Sequence, residues 1–389
     1  MLTDVKMPDK GPVVVVGAGL AGSRTCLELR KLGYPGQIIL LGEETSPPYD
    51  RPPLSKAVLT GKRESKPLKA DYDALGIELR LQTRVEQVNL AGREITTTAG
   101  PVAFEHLVVA TGATPVRLPG TGEQLTLRTD IDAAALRDRL TEGAHVVVVG
   151  ASWIGAEVAH AALQKGCTVT GLEYHPAPLT QALGTVIGSR FTHWWDHTTL
   201  RTSVRVTAVE PDGVHLHDGE VIPADVVVTG IGARPATDWL ADSGLELLPA
   251  IPVNQRLRTT DPNIYALGDA AAWWSPRFKT RLNIQHWDDA YTAPSVVADN
   301  IVHGDASELV HDPIPYFWSN QFGHRIEYIG HHTPTDTITI DDGYDKGWTT
   351  QWTNTNGQLT AALAVNQPKQ IAAWRKNIQA HETVAYADH

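Results

Sequence analysis

Three glycines, Gly17, Gly19 and Gly22, followed by a carboxylate at Glu43, have the types and spacing to hold a nucleotide. The first lets the chain turn sharply after a strand, the second lets backbone amides approach a pyrophosphate, and the third lets a helix pack closely on the sheet. The stretch reads Gly17-Ala18-Gly19-Leu20-Ala21-Gly22, and Glu43 follows Gly17 by twenty-six positions, where an acid would meet a ribose hydroxyl. A tight structural turn is the alternative. A second constellation, Gly150-Ala151-Ser152-Trp153-Ile154-Gly155-Ala156-Glu157 with Glu173 beyond it, repeats the pattern with serine at the second glycine position. The Ser152 Cβ still permits fairly close approach along a slightly different path.

Elements of a definite kind must position these residues. Val13–Val16 and Val146–Val149 read as strands buried on both faces, each feeding a glycine turn, an amphipathic helix and a further strand: 38–41 ending at Glu43, and 168–172 ending at Glu173. Duplication of a dinucleotide fold within one chain is far more specific than either copy and predicts two bound nucleotides. Glu173 should accept bonds from a ribose diol and repel a 2′-phosphate. No arginine follows it in Tyr174-His175-Pro176, so NADH is expected over NADPH.

Other stretches add candidates. Pro47-Pro48-Tyr49-Asp50-Arg51-Pro52-Pro53-Leu54-Ser55-Lys56 is a rigid loop holding Arg51 and Lys56 beside the first nucleotide, unless both are ordinary exposed charges. Residues 77–81, 85–88 and 94–98 read as antiparallel strands added to the first domain. The strand ending at Ala110-Thr111-Gly112 can bring backbone close to a ligand. Residues 119–130 read as loop and 131–140 as helix. The Gly230-Ile231-Gly232 turn closes a further strand, and Tyr265-Ala266-Leu267-Gly268-Asp269-Ala270 delivers a glycine and an acid to a helix start, where Asp269 can accept from a polyol or simply cap the helix. From about residue 314 the texture shifts to strands rich in Trp, Thr and Tyr, with a final helix over 368–379, a separate α+β domain.

Composition narrows the function classes. The 389 residues exceed what one core usually supports, and 42% hydrophobic with 20% charged residues reads as an ordinary globular protein. No apolar stretch reaches the length of a membrane span, and Met1-Leu2-Thr3-Asp4-Val5-Lys6 lacks a signal-peptide core, so a cytoplasmic location is expected. A formal charge of −11 disfavours nucleic acid as partner. Basic clusters at Lys62, Arg63, Lys66 and Lys69 and at Lys369, Arg375 and Lys376 could dock a small acidic protein or be solvated surface charge. Cys26 and Cys167, the only cysteines, are too far apart in sequence for a Cys-x-x-Cys relay and read as small buried hydrophobes; no metal site is expected. Eleven tryptophans against five phenylalanines, with adjacent pairs at 194–195 and 273–274, read mostly as core or interface anchors.

In order along the chain, PYDRPPLSK at 48–56, ATG at 110–112, GxSxIGxE at 150–157, YALGDA at 265–270, PYFWSNQ at 315–321 and LAVNQPK at 363–369 resemble the FAD-containing, NADH-dependent ferredoxin reductases of the putidaredoxin and rubredoxin reductase type. The resemblance spans residues 13 to about 376. It implies an α/β fold of the glutathione reductase kind, with two Rossmann-like domains and a C-terminal α+β domain: an FAD domain from 11–118 and 245–313, an NADH domain at 119–244, and a C-terminal domain at 314–389. It further implies FAD binding by Gly17 to Gly22, Glu43, Arg51, Lys56, Val85, Ala110, Thr111, Gly112, Gly268 and Asp269, with Trp287 and Trp318 near the flavin. Gly150, Ser152, Trp153, Ile154, Gly155, Glu157, Glu173 and Gly232 would line the NADH site, and Lys56 and Glu157 would meet beside the flavin. Asn320 stands where the family usually carries an acid, Gln285-His286-Trp287 where it carries Glu-His-Trp, Ala293 where it has glutamine, and Thr114 where it has arginine, although Arg117 follows. The implied partner is a [2Fe-2S] ferredoxin serving a cytochrome P450 or Rieske oxygenase, with the reductase a monomer or homodimer. An NADH oxidase or direct reductase of a small molecule is the alternative, favoured if the changes at Gln285 and Asn320 have removed the protein partner. A dithiol reductase lacks its cysteine pair, and a non-turning-over NADH sensor would not need Lys56 and Glu157.

Overall fold

Two runs of four valines each become the centre of a parallel sheet, because a strand apolar on both faces is stable only when both faces are covered. Val13–Val16 lies between Ile38–Leu41 and His106–Val109, which pairs onward to Ile264–Ala266. All four of its valines are buried. Val146–Val149 likewise lies between Thr168–Leu172 and Val226–Thr229, with Thr199–Arg201 at the edge. The computed structural model describes residues 10–343 and 346–380. The segment Met1-Leu2-Thr3-Asp4-Val5-Lys6 and residues 381–389 of the expected C-terminal domain lie outside the described residues.

Each parallel sheet carries antiparallel additions. Val85–Asn89, Glu94–Thr97 and Gly100–Ala103 form a three-stranded sheet on the first, as expected. Ile77–Arg80 does not join them: it pairs in parallel with Ile38–Leu41 and forms the edge of the main sheet. Its sequence is short and half-polar, which suits an edge as well as a hairpin, so alternation alone could not decide its partner. Ala113–Pro115 and Ala233–Pro235 pair antiparallel where the chain passes from the first sheet to the second and back.

The YALGDA stretch differs from its expected form. Gly268–Ala270 is a single 3-10 turn followed by the strand Ala271–Ser275, and the helix begins only at Trp287. Gly268 turns the chain in the left-handed region (φ 63°), and Ala271–Ser275 then pairs in parallel with Ile251–Val253 and antiparallel with Thr280–Leu282.

The C-terminal unit is an antiparallel five-stranded sheet in the order Tyr316–Gln321, His324–Gly330, Leu359–Val365, Trp348–Thr353, Thr337–Asp341. The helix Gln370–Gln379 lays Trp374 and Ile378 on one face, against Ile329, Leu359, Ala362 and Ala364. The other face contributes Ile326, Tyr328, Trp348, Trp352 and Leu363 to a core shared with the second parallel sheet, including Phe191, Trp194 and Trp195. Six of the eleven tryptophans are buried, at 194, 195, 273, 348, 352 and 374, which accounts for much of the unusual aromatic balance. Among the described residues, no helix is long and apolar enough to cross a membrane.

Candidate functional site

The two glycine turns share a backbone and differ in their caps. Gly17 has φ 109° and packs so closely on Ala110 that a Cβ would strike the Ala110 carbonyl; a Cβ on Gly22 would strike the carbonyl of Gly17. Gly150 (φ 99°) and Gly155 are held the same way, against Gly230 and Gly150 respectively. At the middle position they part. Gly19 is the extended N-cap of the helix Leu20–Lys31, has no side chain to satisfy the first-turn amides, and faces open space. That leaves Leu20, Ala21 and their neighbours as free donors at the positive end of a helix dipole, a seat for a pyrophosphate. Ser152 instead caps the helix Trp153–Gln164 itself, its hydroxyl accepting from the Gly155 N–H at 3.2 Å and donating to the Gly230 carbonyl at 2.6 Å.

The acids at the strand ends also differ. Glu43 is exposed just past Leu41, while its neighbour Glu44 pairs with Arg51 at 2.5 Å and accepts from the Tyr49 hydroxyl. Glu173 is buried, and its two oxygens accept the N–H groups of Ala151 and His175, both at 2.8 Å. It therefore braces the second glycine turn as well as standing at the end of its strand. Trp153 packs edge-on against Phe317 at 4.5 Å, Ile154 is 39% exposed, and Gly232 (φ 111°) turns in the left-handed region with open space where a Cβ would be.

Lys56 and Glu157 meet. Lys56 lies in the π-helical turn Leu54–Val58 that follows the prolines, and its Nζ stands 2.8 Å from Glu157 Oε2. Glu157 is 4% exposed and projects from the second glycine helix. Ser55, Ser319 and the Asn320 N–H also donate to it. Both serines lie within the motifs PYDRPPLSK and PYFWSNQ, yet neither is singled out there as a site residue, because each is distant in the chain from the Glu157 it meets.

Around the first nucleotide seat the carboxylate of Asp269 is paired, 2.7 Å from Arg128. Arg128 was missed because 119–130 reads as loop. Its signal was the capping box that follows: Thr129 accepts from the Asp132 N–H while Asp132 accepts from the N–H groups of Thr129 and Arg128, fixing the residue before the helix Asp130–Arg139. The Arg128 guanidinium lies over Gly112, and its carbonyl accepts from Arg51 at 2.5 Å. Thr111 donates to the Ala236 carbonyl at 2.7 Å, joining the ATG turn to the returning chain. Arg117 points elsewhere, to the Gln124 carbonyl. Val85 is buried in the first core at the start of its strand.

Trp287 and Trp318 come together at 6.1 Å, edge to face. Trp287 stacks on Tyr291 and donates from its indole N–H to Asp50 at 2.7 Å. Beside it His286 is half-buried with a buried, unpartnered Nδ1, and desolvation pushes its imidazole down to about 4 against the pull of Asp289 and Asp269. Gln285 and Asn320 are exposed and neutral, and Ala293 is fully buried in the first core. Both cysteines are buried, and burial raises both thiols above their ordinary range, the opposite of an activated nucleophile. Among the described residues no group of His, Cys, Asp and Glu could hold a metal ion.

Residues 11–293 match the family described as pyridine nucleotide-disulphide oxidoreductase, and residues 316–389 match the reductase C-terminal family. The ferredoxin–NAD(+) reductase component of the anthranilate 1,2-dioxygenase system of Burkholderia cepacia is 33% identical over 386 residues, covering 95% of this chain and 94% of the relative. Among solved structures, Fdr9 superimposes with a TM-score of 0.93 at 48% identity, covering 97% of this chain and 96% of that one. Putidaredoxin reductase, in its covalent complex with putidaredoxin, does so with 0.89 at 28% identity, covering 97% and 94%. Two glycine turns of one backbone build and two buried, unpaired cysteines agree with these likenesses: the chain belongs to the pyridine nucleotide-disulphide oxidoreductase family, among its FAD- and NADH-using ferredoxin reductases.

Proposed function

We propose that this chain passes electrons from NADH to a [2Fe-2S] ferredoxin that serves an oxygenase, a cytochrome P450 or a Rieske enzyme, and that the Lys56–Glu157 pair is where the two nucleotide sites meet. That pair is the observation that carries the reading: it joins the loop beside the first glycine turn to the helix that opens from the second. Bound FAD supplies the conversion of a two-electron donor into a one-electron source. The protein supplies position and field. The free amides after Gly19 hold the pyrophosphate of FAD, Glu43 the ribose, and Asp269 with Arg128 the polyol and phosphate side. Lys56 offers positive charge where negative charge develops on reduction, and Trp287 and Trp318 shield the ring from water. Residues 11–118 and 245–313 form the FAD domain, 119–244 the NADH domain and 314–389 the C-terminal domain, in a cytoplasmic monomer or homodimer.

The basic residues of the last helix fit a docking role. Lys369 and Lys376 are exposed, and Arg375 lies 5.6 Å over the ring of Tyr316, which stacks at 6.1 Å on Trp318. An acidic carrier seated there would be an aromatic ring or two from the flavin. Direct reduction of a small molecule is the second reading, favoured by the neutral, exposed Gln285 and Asn320 at positions where the family resemblance leads one to expect acids.

Anaerobic mixing of the yellow holoprotein with NADH, followed by a [2Fe-2S] ferredoxin with cytochrome c as final acceptor, tests the proposal. Rapid bleaching and ferredoxin-dependent cytochrome reduction are expected. Bleaching that no ferredoxin in a small panel converts into cytochrome reduction would favour the direct reductase. Lys56→Met should slow flavin reduction by NADH in stopped flow; wild-type speed would remove the lysine from the mechanism.

A further inference from the structure

Both oxygens of Glu157 are saturated, and the donors come from two separate stretches of chain, 55–56 and 319–320. Oε2 receives Lys56 Nζ at 2.8 Å and the Ser55 hydroxyl; Oε1 receives the Ser319 hydroxyl at 2.6 Å and the Asn320 N–H at 3.2 Å. Every hydroxyl proton in the cluster has one available direction. Ser55 Oγ accepts from Lys56 Nζ at 3.2 Å and Ser319 Oγ accepts from Gln321 Nε2 at 3.1 Å, so the single proton of each serine goes to Glu157. The lysine is equally constrained: its three hydrogens meet Glu157, Ser55 and the Pro52 carbonyl, the last two by long bonds of 3.2 and 3.3 Å. Ser55, Ser319, Gln321 and Glu157 are all buried, so none of these bonds is exchanged cheaply for water.

We propose that Ser319, with Ser55, is a positioning residue for hydride transfer: it fixes the Glu157 carboxylate and through it aims the Lys56 ammonium, so that the C-terminal sheet completes the reaction site. This rests on the reading of Lys56 given above. The chain of contact runs Gln321, Ser319, Glu157, Lys56. Its first two members alternate along the edge strand Tyr316–Gln321 with Trp318 and Asn320, so one short strand sends a ring toward Trp287 and a hydroxyl to Glu157. Without Ser319 the Oε1 oxygen keeps only the longer Asn320 bond, Gln321 loses its acceptor, and the carboxylate is free to turn, taking the ammonium with it.

The test uses Ser319→Ala, Ser319→Thr, Ser55→Ala and Lys56→Met as FAD-loaded proteins. Flavin reduction at saturating NADH should fall about tenfold in Ser319→Ala, the loss expected for one buried hydrogen bond to a charged group. NADH affinity should stay within about twofold, since Ser319 touches neither glycine turn, and the flavin midpoint potential should become more negative. Threonine keeps the hydroxyl and should restore most of the rate and the potential. Wild-type rate and potential in Ser319→Ala overturn the proposal, as do equal losses in the alanine and threonine variants, which would mark a packing role. If Ser319→Ala does not retain FAD, Ser55→Ala makes the same measurement from the opposite side of the carboxylate. A slow Lys56→Met with a normal Ser319→Ala removes only the serine; a normal Lys56→Met removes the lysine reading as well.

Discussion

Arg128→Met should separate the two things that arginine does. Its guanidinium stands 2.7 Å from Asp269, with the side chains 29% and 12% exposed, and lies over the Gly112 backbone at the edge of the first nucleotide seat. Stripping one partner from a fully buried ion pair costs about 3–5 kcal/mol, but a pair this open to water is screened, so about 1–2 kcal/mol of apoprotein stability is the expected loss. Toward FAD the loss is of a charge-assisted contact with an anionic ligand, about 1.5–3 kcal/mol, or roughly ten- to a hundredfold in affinity. The two losses respond differently to Asp269→Asn. In the double variant the stranded carboxylate is gone, so apoprotein stability should largely return, whereas FAD affinity should remain low. Titration of FAD into apoprotein, followed by quenching of flavin fluorescence, measures the second quantity; thermal unfolding of the same apoprotein measures the first. Retention of FAD by Arg128→Met within twofold of wild type would refute the placement of Arg128 at the cofactor, whatever happened to stability.

Glu173→Gln removes the charge and keeps one of its two acceptors, turning the amide NH2 toward either the Ala151 or the His175 N–H, so NADPH turnover should rise relative to NADH by tenfold or more while stability falls by about 1–3 kcal/mol; an unchanged ratio in initial-rate assays would take Glu173 out of cofactor choice. Burial holds His286 and His332 down to about 4. Their folded-state affinity for protons is thus below that of the unfolded chain, so stability is complete above about pH 6.5 and falls toward pH 4 by up to about 1.4 kcal/mol per pH unit for each. His332→Asn should flatten that acid slope by up to one proton, measured as denaturation midpoints between pH 7.5 and 4.5; parallel slopes in variant and wild type would contradict it. Exchange of Lys369 and Arg375 for glutamate should raise the KM for ferredoxin several-fold at low salt and leave NADH–ferricyanide turnover intact. Equal loss of both activities would place the effect inside the enzyme and not at the docking face.

What the sequence made legible is what one stretch of chain can encode alone. Val13–Val16 with Gly17 to Gly22, and Val146–Val149 with Gly150 to Gly155, carry their own strand, turn and helix, and the structure forms both. Their meeting at Lys56 and Glu157 was accessible only through the order of motifs along the whole chain, because nothing local to either residue names the other. Three features stayed hidden for the same reason. Ile77–Arg80 could pair on either side, and a half-polar tetrapeptide does not choose. Arg128 sits in a stretch whose composition says loop, yet the capping box after it pins it to Asp269, 141 residues away. Ser319 differs from any strand serine only in that Glu157 arrives opposite it.

The departure at Ser152 shows why two copies of one motif need not do one job. In the first copy the middle position is glycine, the helix end is uncapped, and its amides have no partner within the fold, so that end of the molecule is incomplete until an anion occupies it. In the second copy serine satisfies one of those amides, Glu173 receives the Ala151 N–H, and the turn is closed upon itself before any nucleotide arrives. A ligand at the first turn gains bonds the protein otherwise lacks; a ligand at the second must displace or share bonds already made. Under the proposed assignment of FAD to the first turn and NADH to the second, the first arrangement suits a cofactor that stays through every turnover and the second a cofactor that enters, reacts and leaves. The Ser152 hydroxyl and the Glu173 carboxylate together draw that distinction, since the remaining backbone of the two turns is held by the same close contacts at Gly17 and Gly22, and at Gly150 and Gly155.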